Sequence, residues 1–342
     1  MAIRKGNAFH LNKKRNLETD IKGLFHGIRN GNSTALAKAI TLIESSRPQD
    51  IEPSEQLITE CLQVKTNSIR IGITGVPGVG KSTFIEAFGT YLTQLGKKVA
   101  VLAVDPSSSI TKGSILGDKT RMEKLSKDPN AFIRPSPAQD SLGGVARRTR
   151  ETILLCEAAE YDVILVETVG VGQSETLVHS MVDFFLLLKL AGAGDELQGV
   201  KRGIMEMADA IVINKADGEN MKAVKHAIVE FQNALHLYPP KDNQWSPKVS
   251  SCSSINHTGI AAIWEVMRSF LELTETNGHF QNNRTIQYKN WFLQTIEEQL
   301  KTRFFDNKIV QERIREYLEQ IEAKNISPVL AAHKLFKEAD AL

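Results

Sequence analysis

Cysteine is scarce in this chain: Cys61, Cys156 and Cys252 are the only three in 342 residues. Thiols this far apart form neither a disulfide framework nor a zinc-ligand spacing, and they point to a reducing, cytoplasmic setting. Long apolar runs are absent as well. Phe184–Leu190 is far short of the ~20 residues that cross a bilayer and reads as a buried strand, so no membrane association is expected. Charge of one sign is missing too, since 42 basic against 40 acidic residues leave a formal +2. That balance gives no global pull toward nucleic acid or a lipid surface. His179, His226, His236, His257 and His279 show no paired spacing and read as structural or solvent-facing. The first sixteen residues are basic without an acid, yet lack the serines and apolar face of a transit peptide.

The 42% of apolar residues suffices for a large core. Residues 17–65 read as helical, with Asn32 or Ser33 capping a helix that carries Leu36, Ile40 and Ile43 on one face. A second short helix follows Pro53-Ser54 with Leu57, Ile58, Cys61 and Leu62 inward. Short continuous apolar runs then alternate with helical stretches: Ile69–Thr74, Val99–Val104, Val163–Val166, Phe184–Leu188, Ala210–Ile213 and Val249–Ser254. Such runs imply a parallel sheet covered on both faces, a three-layer α/β domain. The expected organisation is an N-terminal helical extension over 1–65, a nucleotide domain over 66–275 and a C-terminal helical segment over 276–342. In that last segment Trp291, Phe292, Ile296, Leu300 and Phe304 form one stripe, and Ile309, Val310, Ile314, Tyr317, Leu318 and Ile321 another. Such stripes cover either the chain's own core or a second copy.

One stretch carries explicit chemistry. Gly75-Val76-Pro77-Gly78-Val79-Gly80-Lys81-Ser82-Thr83 fits the G-x-x-x-x-G-K-[ST] phosphate loop at every fixed position. It lies between an expected strand and an expected helix over Ser82–Leu95, a context that gathers backbone N–H groups around an anion. Lys81 supplies a point charge for β- and γ-phosphates, and the Ser82 hydroxyl a position on Mg²⁺.

Asn214-Lys215-Ala216-Asp217 follows the strand Ala210–Ile213. The Asp217 carboxylate can accept from both N1–H and the exocyclic N2–H₂ of guanine, a pair of donors that adenine lacks. Asn214 braces that pocket and the Lys215 stem lies along the base. The ligand expected is therefore GTP or GDP. Magnesium needs hard oxygens, and Asp105 and Glu167 stand at the ends of two successive strands, where ligands of parallel sheets gather. Asp118 can also swing in from the loop after Asp105.

Glu167-Thr168-Val169-Gly170 has the form of a γ-phosphate sensor, with the Gly170 N–H toward phosphate. Many GTPases place a water-orienting glutamine directly after that glycine. Here Val171 stands there, with Gln173 two residues on, so slow intrinsic hydrolysis is expected. The glycine-rich run 191–203 has the backbone freedom of a responsive loop. Arg147, Arg148 and Arg150 on a helix read as a solvated basic face.

Together, G-V-P-G-V-G-K-S-T, V-D-P-S-S-S, S-L-G-G-V-A, V-E-T-V-G-V-G-Q-S-E, A-G-A-G-D-E-L-Q-G-V-K-R-G-I-M-E-M-A-D and N-K-A-D closely resemble the MeaB/ArgK family, the GTPases associated with methylmalonyl-CoA mutase. The resemblance spans roughly residues 20–335. It implies a signal-recognition-type GTPase core with helical extensions, a homodimer through the C-terminal part, and a chaperone of an adenosylcobalamin-dependent mutase that gates cofactor loading. It assigns Ser82, Asp105, Asp118 and Glu167 to the Mg²⁺ site, leaving open which aspartate is the inner ligand. It assigns Asn214, Lys215 and Asp217 to guanine, with Ser253 and Ser254 near ribose and base, and puts Lys201 in an extra switch loop. Many relatives carry Ser-Ala after the cysteine where this chain has Ser253-Ser254. Two other readings share the core: a nickel-delivering metallochaperone, which should show clustered Cys and His, and a kinase or nucleotidase linked to amino-acid transport.

Overall fold

The computed structural model describes residues 20–104, 122–135, 142–168, 174–192 and 202–339. They fall into two compact units, one within Met1–Asn67 and Glu151–Tyr161, the other within Ser68–Arg150 and Asp162–Leu342.

The first unit holds α1 (Ile21–Arg29), α2 (Ser33–Ile43) and α3 (Pro48–Leu62). Each start has a local cause. The Asp20 carboxylate accepts the Gly23 N–H at 2.9 Å, and the Asn32 side chain accepts that of Ala35 at 3.0 Å. Pro48 opens α3 at the position where its missing N–H costs nothing. The helix thus begins five residues before Pro53, where the sequence suggested its start. Ile28, Leu36, Ile40, Ile43, Leu57 and Cys61 are buried, whereas Leu62 is exposed.

The second unit is built on seven strands: β1 (Ile69–Gly75), β2 (Val99–Val104), β3 (Ala131–Arg134), β4 (Val163–Thr168), β5 (Phe184–Leu190), β6 (Ala210–Asn214) and β7 (Lys248–Ser251). All pair in parallel, in the order β3-β2-β4-β1-β5-β6-β7. Every residue of β1, β4 and β6 is buried, as a sheet covered on both faces requires. The helices are α4 (Lys81–Gln94), α5 (Leu142–Ala158, which runs on into the first unit), α6 (Ser174–His179), α7 (Arg202–Met207), α8 (Met221–Leu235) and α9 (Ile260–Thr276). The core lies between sheet and helices. Phe84 stacks on Phe88, and Phe270 meets both Phe184 and Trp245 edge-on.

Three further helices close the chain: α10 (His279–Phe305), α11 (Lys308–Glu322) and α12 (Pro328–Ala339). The first half of α10 is fastened to the sheet. Arg284 donates from Nε and Nη2 to the Asp183 carboxylate at 2.8 and 2.6 Å, and from Nη2 to Ser68 O at 2.8 Å. The Gln287 amide donates to Val182 O at 2.7 Å. Beyond this clasp, Phe292, Leu293, Leu300, Phe305, Leu318 and Phe336 are exposed. The stripes therefore cover the core only in part.

Candidate functional site

Parallel register brings the carboxyl ends of the strands to one edge. Ile73 lies beside Glu167, Gly75 beside Leu188, and Val104 beside Thr168. The Thr168 hydroxyl donates to Thr74 Oγ1 at 3.0 Å, tying β4 to β1 just below that edge. From there residues 76–80 turn into α4. Gly75 has to be glycine, because a Cβ there would lie 2.6 Å from Leu188 O. Gly80 adopts φ +93° to start the helix, and a Cβ on it would lie 2.9 Å from Asn214 Nδ2.

Lys81 follows at the first position of α4. Its ammonium donates to Gly75 O at 2.8 Å and Val76 O at 3.4 Å, which holds the charge against the loop. Burial pulls its pKa below the ordinary lysine value, while Glu167 and Glu175 pull it back up. An arriving polyphosphate would strengthen that second effect. The Ser82 hydroxyl donates to Glu167 Oε1 at 3.2 Å. Two predicted metal-site residues, from α4 and β4, thus meet beside the Lys81 ammonium. Both offer hard oxygens, and Glu167 is only 8% exposed, so the pair fits a magnesium ion. Asp105, Asp118, Gly170, Val171, Gln173 and Lys201 lie outside the described residues.

Asn214, at the end of β6, is 1% exposed and joins two loops. Its Nδ2 donates to Val79 O of the phosphate loop at 2.9 Å. Its Oδ1 accepts from Ser254 Oγ at 2.8 Å and from the Cys252 thiol at 3.4 Å. The next residue, Lys215, has φ +58°, a conformation that costs a non-glycine residue about 1–3 kcal/mol and collects at functional sites. The Lys215 ammonium donates to Gly78 O at 3.0 Å. Ser253 donates to Asp217 Oδ2 in a very short hydrogen bond. Asp217 is therefore held in one orientation, with its carboxylate partly exposed. The structure brings together Gly75–Ser82, Asn214, Lys215, Asp217, Ser253, Ser254 and Glu167. The last strand ends at Ser251 rather than Ser254, which leaves Ser253 and Ser254 in the loop where they can reach Asp217 and Asn214.

Sequence reasoning missed three residues here. Cys252 supports Asn214, and Thr74 pairs with Thr168. Neither has a local signal, since both contacts join distant segments. Glu175 does have one, as the last residue of the V-E-T-V-G-V-G-Q-S-E stretch.

A family model described as methylmalonyl Co-A mutase-associated GTPase MeaB matches residues 36–309. The chain belongs to this family. It is 47% identical over 320 residues to Probable GTPase Rv1496 of Mycobacterium tuberculosis, covering 94% of this chain and 95% of that protein. It is 47% identical to GTPase ArgK of Escherichia coli K12, covering 88% and 91%. It is 44% identical to the mouse protein named methylmalonic aciduria type A homolog, mitochondrial, covering 92% and 78%. A crystal structure described as LAO/AO transport system kinase superposes with a TM-score of 0.76 at 39% identity, covering 94% of this chain and 98% of that one. The protein is thus a GTPase of the phosphate-loop class with a guanine-nucleotide site. No helix among the described residues is long and apolar enough to cross a membrane.

Proposed function

We propose that this GTPase serves an adenosylcobalamin-dependent methylmalonyl-CoA mutase in the cytoplasm, with Mg-GTP turnover gating the loading and protection of the mutase's cofactor. The observation behind this reading is the family match over residues 36–309. The site adds chemical support. Residues Gly75–Thr83 and the start of α4 wrap the phosphates, with Lys81 as the charge between β and γ. Magnesium, held by Ser82 and Glu167 with Asp105 or Asp118, would neutralise charge on the phosphate oxygens. Asp217 reads N1–H and N2–H₂ of guanine, and Ser253 fixes the plane in which it does so. Asn214 ties that base clamp to the phosphate loop, so base and phosphates are felt by one connected unit.

With Val171 following Gly170, no side chain directly after the sensor glycine can orient water. Hydrolysis then depends on Gln173 or on a rearrangement brought by the partner, with Lys201 in the loop that responds. The exposed apolar side chains of α10–α12, within the segment 276–342, suit a homodimer. The relative titled as a transport-system kinase keeps one other reading in view, a nucleotidase linked to amino-acid transport. The Asp217 carboxylate disfavours adenine and so disfavours an ATP-driven version of it.

GTP turnover measured with and without purified methylmalonyl-CoA mutase tests the proposal. Slow turnover accelerated by the mutase is expected. Turnover that ignores the mutase would end the mutase reading while leaving the GTPase intact.

A further inference from the structure

The basic face expected on α5 is not solvated at Arg150, which is 6% exposed. Its guanidinium lies where three elements meet. Nη2 donates to Ser180 Oγ at 2.8 Å, just past the end of α6. Nη1 donates to Gln294 Oε1 on α10 at 2.7 Å. Nε is buried with no hydrogen-bond partner among the described residues. The charge also feels Glu298, one turn further along α10, which opposes the effect of burial on its pKa. A buried cation with an unspent donor is costly to keep, and a solvated arginine would avoid that cost.

What Arg150 joins gives this cost a use. Helix α6 spans six residues, about 9 Å. At its start Glu175 is buried, and further along it Val178 packs so tightly on β1 that a Cβ at Gly72 would lie 3.0 Å from Val178 Cγ1. Its last turn is held by Ser180, whose hydroxyl donates to Leu177 O at 2.7 Å while accepting from Arg150. In the chain, α6 begins directly after 169–173, the segment with the candidate γ-phosphate contact. On its far side Arg150 holds α10 at Gln294, between the exposed Leu293 and Leu300. Physical contacts therefore run from β1, which leads into the phosphate loop, through Val178 of α6, Ser180 and Arg150 to α10.

We infer that Arg150 is a positioning residue for GTP hydrolysis: it sets α6, and with it the phosphate site, according to where α10 lies. This rests on the proposed reading of the phosphate site. A guanidinium suits the task, because its rigid fork fixes two partners at once, which a lysine ammonium does not. Coupling between distant sites commonly amounts to about 5–150-fold, and where it falls on kcat it need not appear in nucleotide affinity.

The test uses the full chain and perturbs the exposed end of the link, where folding is not at risk. Gln294→Lys places a cation against Arg150, and Gln294→Glu strengthens the pair. GTP turnover is measured for both, for Arg150→Ala, and for Arg150→Ala combined with Gln294→Lys, alongside GDP affinity. Expected are a kcat lowered about fivefold or more by Gln294→Lys, no such loss for Gln294→Glu, and GDP affinity within about twofold throughout. In the Arg150→Ala background, Gln294→Lys should add nothing further. The inference is overturned if Gln294→Lys turns over GTP like the unmodified protein, if its effect persists undiminished without Arg150, or if GDP affinity falls with kcat. Failure of the unmodified protein to bind GDP would instead sink the reading of the site itself.

Discussion

Replacing Asp217 with asparagine exchanges one carboxylate oxygen for an amide N–H₂, and the structure determines which one. Ser253 donates its hydroxyl to the Oδ2 side of the carboxylate. In Asp217→Asn the amide oxygen keeps that serine, because Ser253 Oγ already accepts the Asn256 N–H at 3.2 Å and has its own O–H to donate. The N–H₂ therefore points to the other oxygen's former position, where guanine presents a donor. One charge-assisted hydrogen bond, worth about 1.5–3 kcal/mol, is lost, and the other is weakened to a neutral one. A donor–donor contact is added. A net loss of about 3–4 kcal/mol corresponds to GTP binding ~10²–10³-fold weaker. Xanthine carries a carbonyl where guanine carries its exocyclic amine, so XTP meets the new N–H₂ as an acceptor and should now bind better than GTP. Competition of GTP, XTP and ATP against a fluorescent nucleotide measures all three affinities. If GTP affinity stays within threefold of the original, or if GTP and XTP weaken equally, Asp217 does not read the base.

Gly80→Val places a β-branched side chain at φ +93° and a Cβ against Asn214 Nδ2, so it should weaken GTP binding at least ~30-fold in a titration while thermal stability falls by only a few degrees. Arg284→Leu leaves the Asp183 carboxylate buried without its cation and should lower unfolding free energy by about 3–5 kcal/mol in urea, without a matching loss of GTP affinity. Burial holds His179 below the usual histidine pKa, so below about pH 6.5 the unfolded chain binds a proton that the folded chain does not. Its contribution is present above that pH and lost as pH falls, by at most about 1.4 kcal/mol per pH unit, so thermal melts of His179→Gln should decline less steeply from pH 7 to 5. Lys201→Ala should leave nucleotide affinity nearly unchanged while reducing activation by the mutase, and loss of GTP binding itself would refute the switch role.

Strands β1, β2, β4, β5 and β6 were legible because burial on both faces writes continuous apolar runs into a sequence. Strand β3 was not. Ala131-Phe132-Ile133-Arg134 is a four-residue edge strand, half-buried throughout, and its paired side faces only β2. The phosphate loop and Asn214–Asp217 were legible as motifs, since phosphate and guanine each dictate residue types at short spacing. The motif names Asn214 but not its partners, which are a carbonyl in one loop and a thiol and a hydroxyl in another. Arg150 was misread for the same reason. Beside Arg147 and Arg148 it completes a local basic run, and its partners Ser180 and Gln294 lie 30 and 144 residues further along the chain.

The C-terminal helices divide in a way that no amphipathic stripe could announce. Residues 279–288 are held at the edge of the sheet opposite the phosphate loop: Arg284 is locked on Asp183 just ahead of β5 and on Ser68 just ahead of β1, while Gln287 is bonded to Val182. Past the clasp, α10 continues to Phe305 with apolar side chains exposed and Arg150 as its next buried polar contact. A rod of 27 residues is about 40 Å long, so force applied to its distal apolar face acts about the clasp as a fulcrum, and Arg150 lies between the two. A small tilt of α10 would be felt at Gln294 before it reached the sheet. Under the proposed function, whatever docks on the exposed face would meet α6 through Arg150 with the sheet undisturbed, so partner binding should change turnover more than it changes nucleotide affinity.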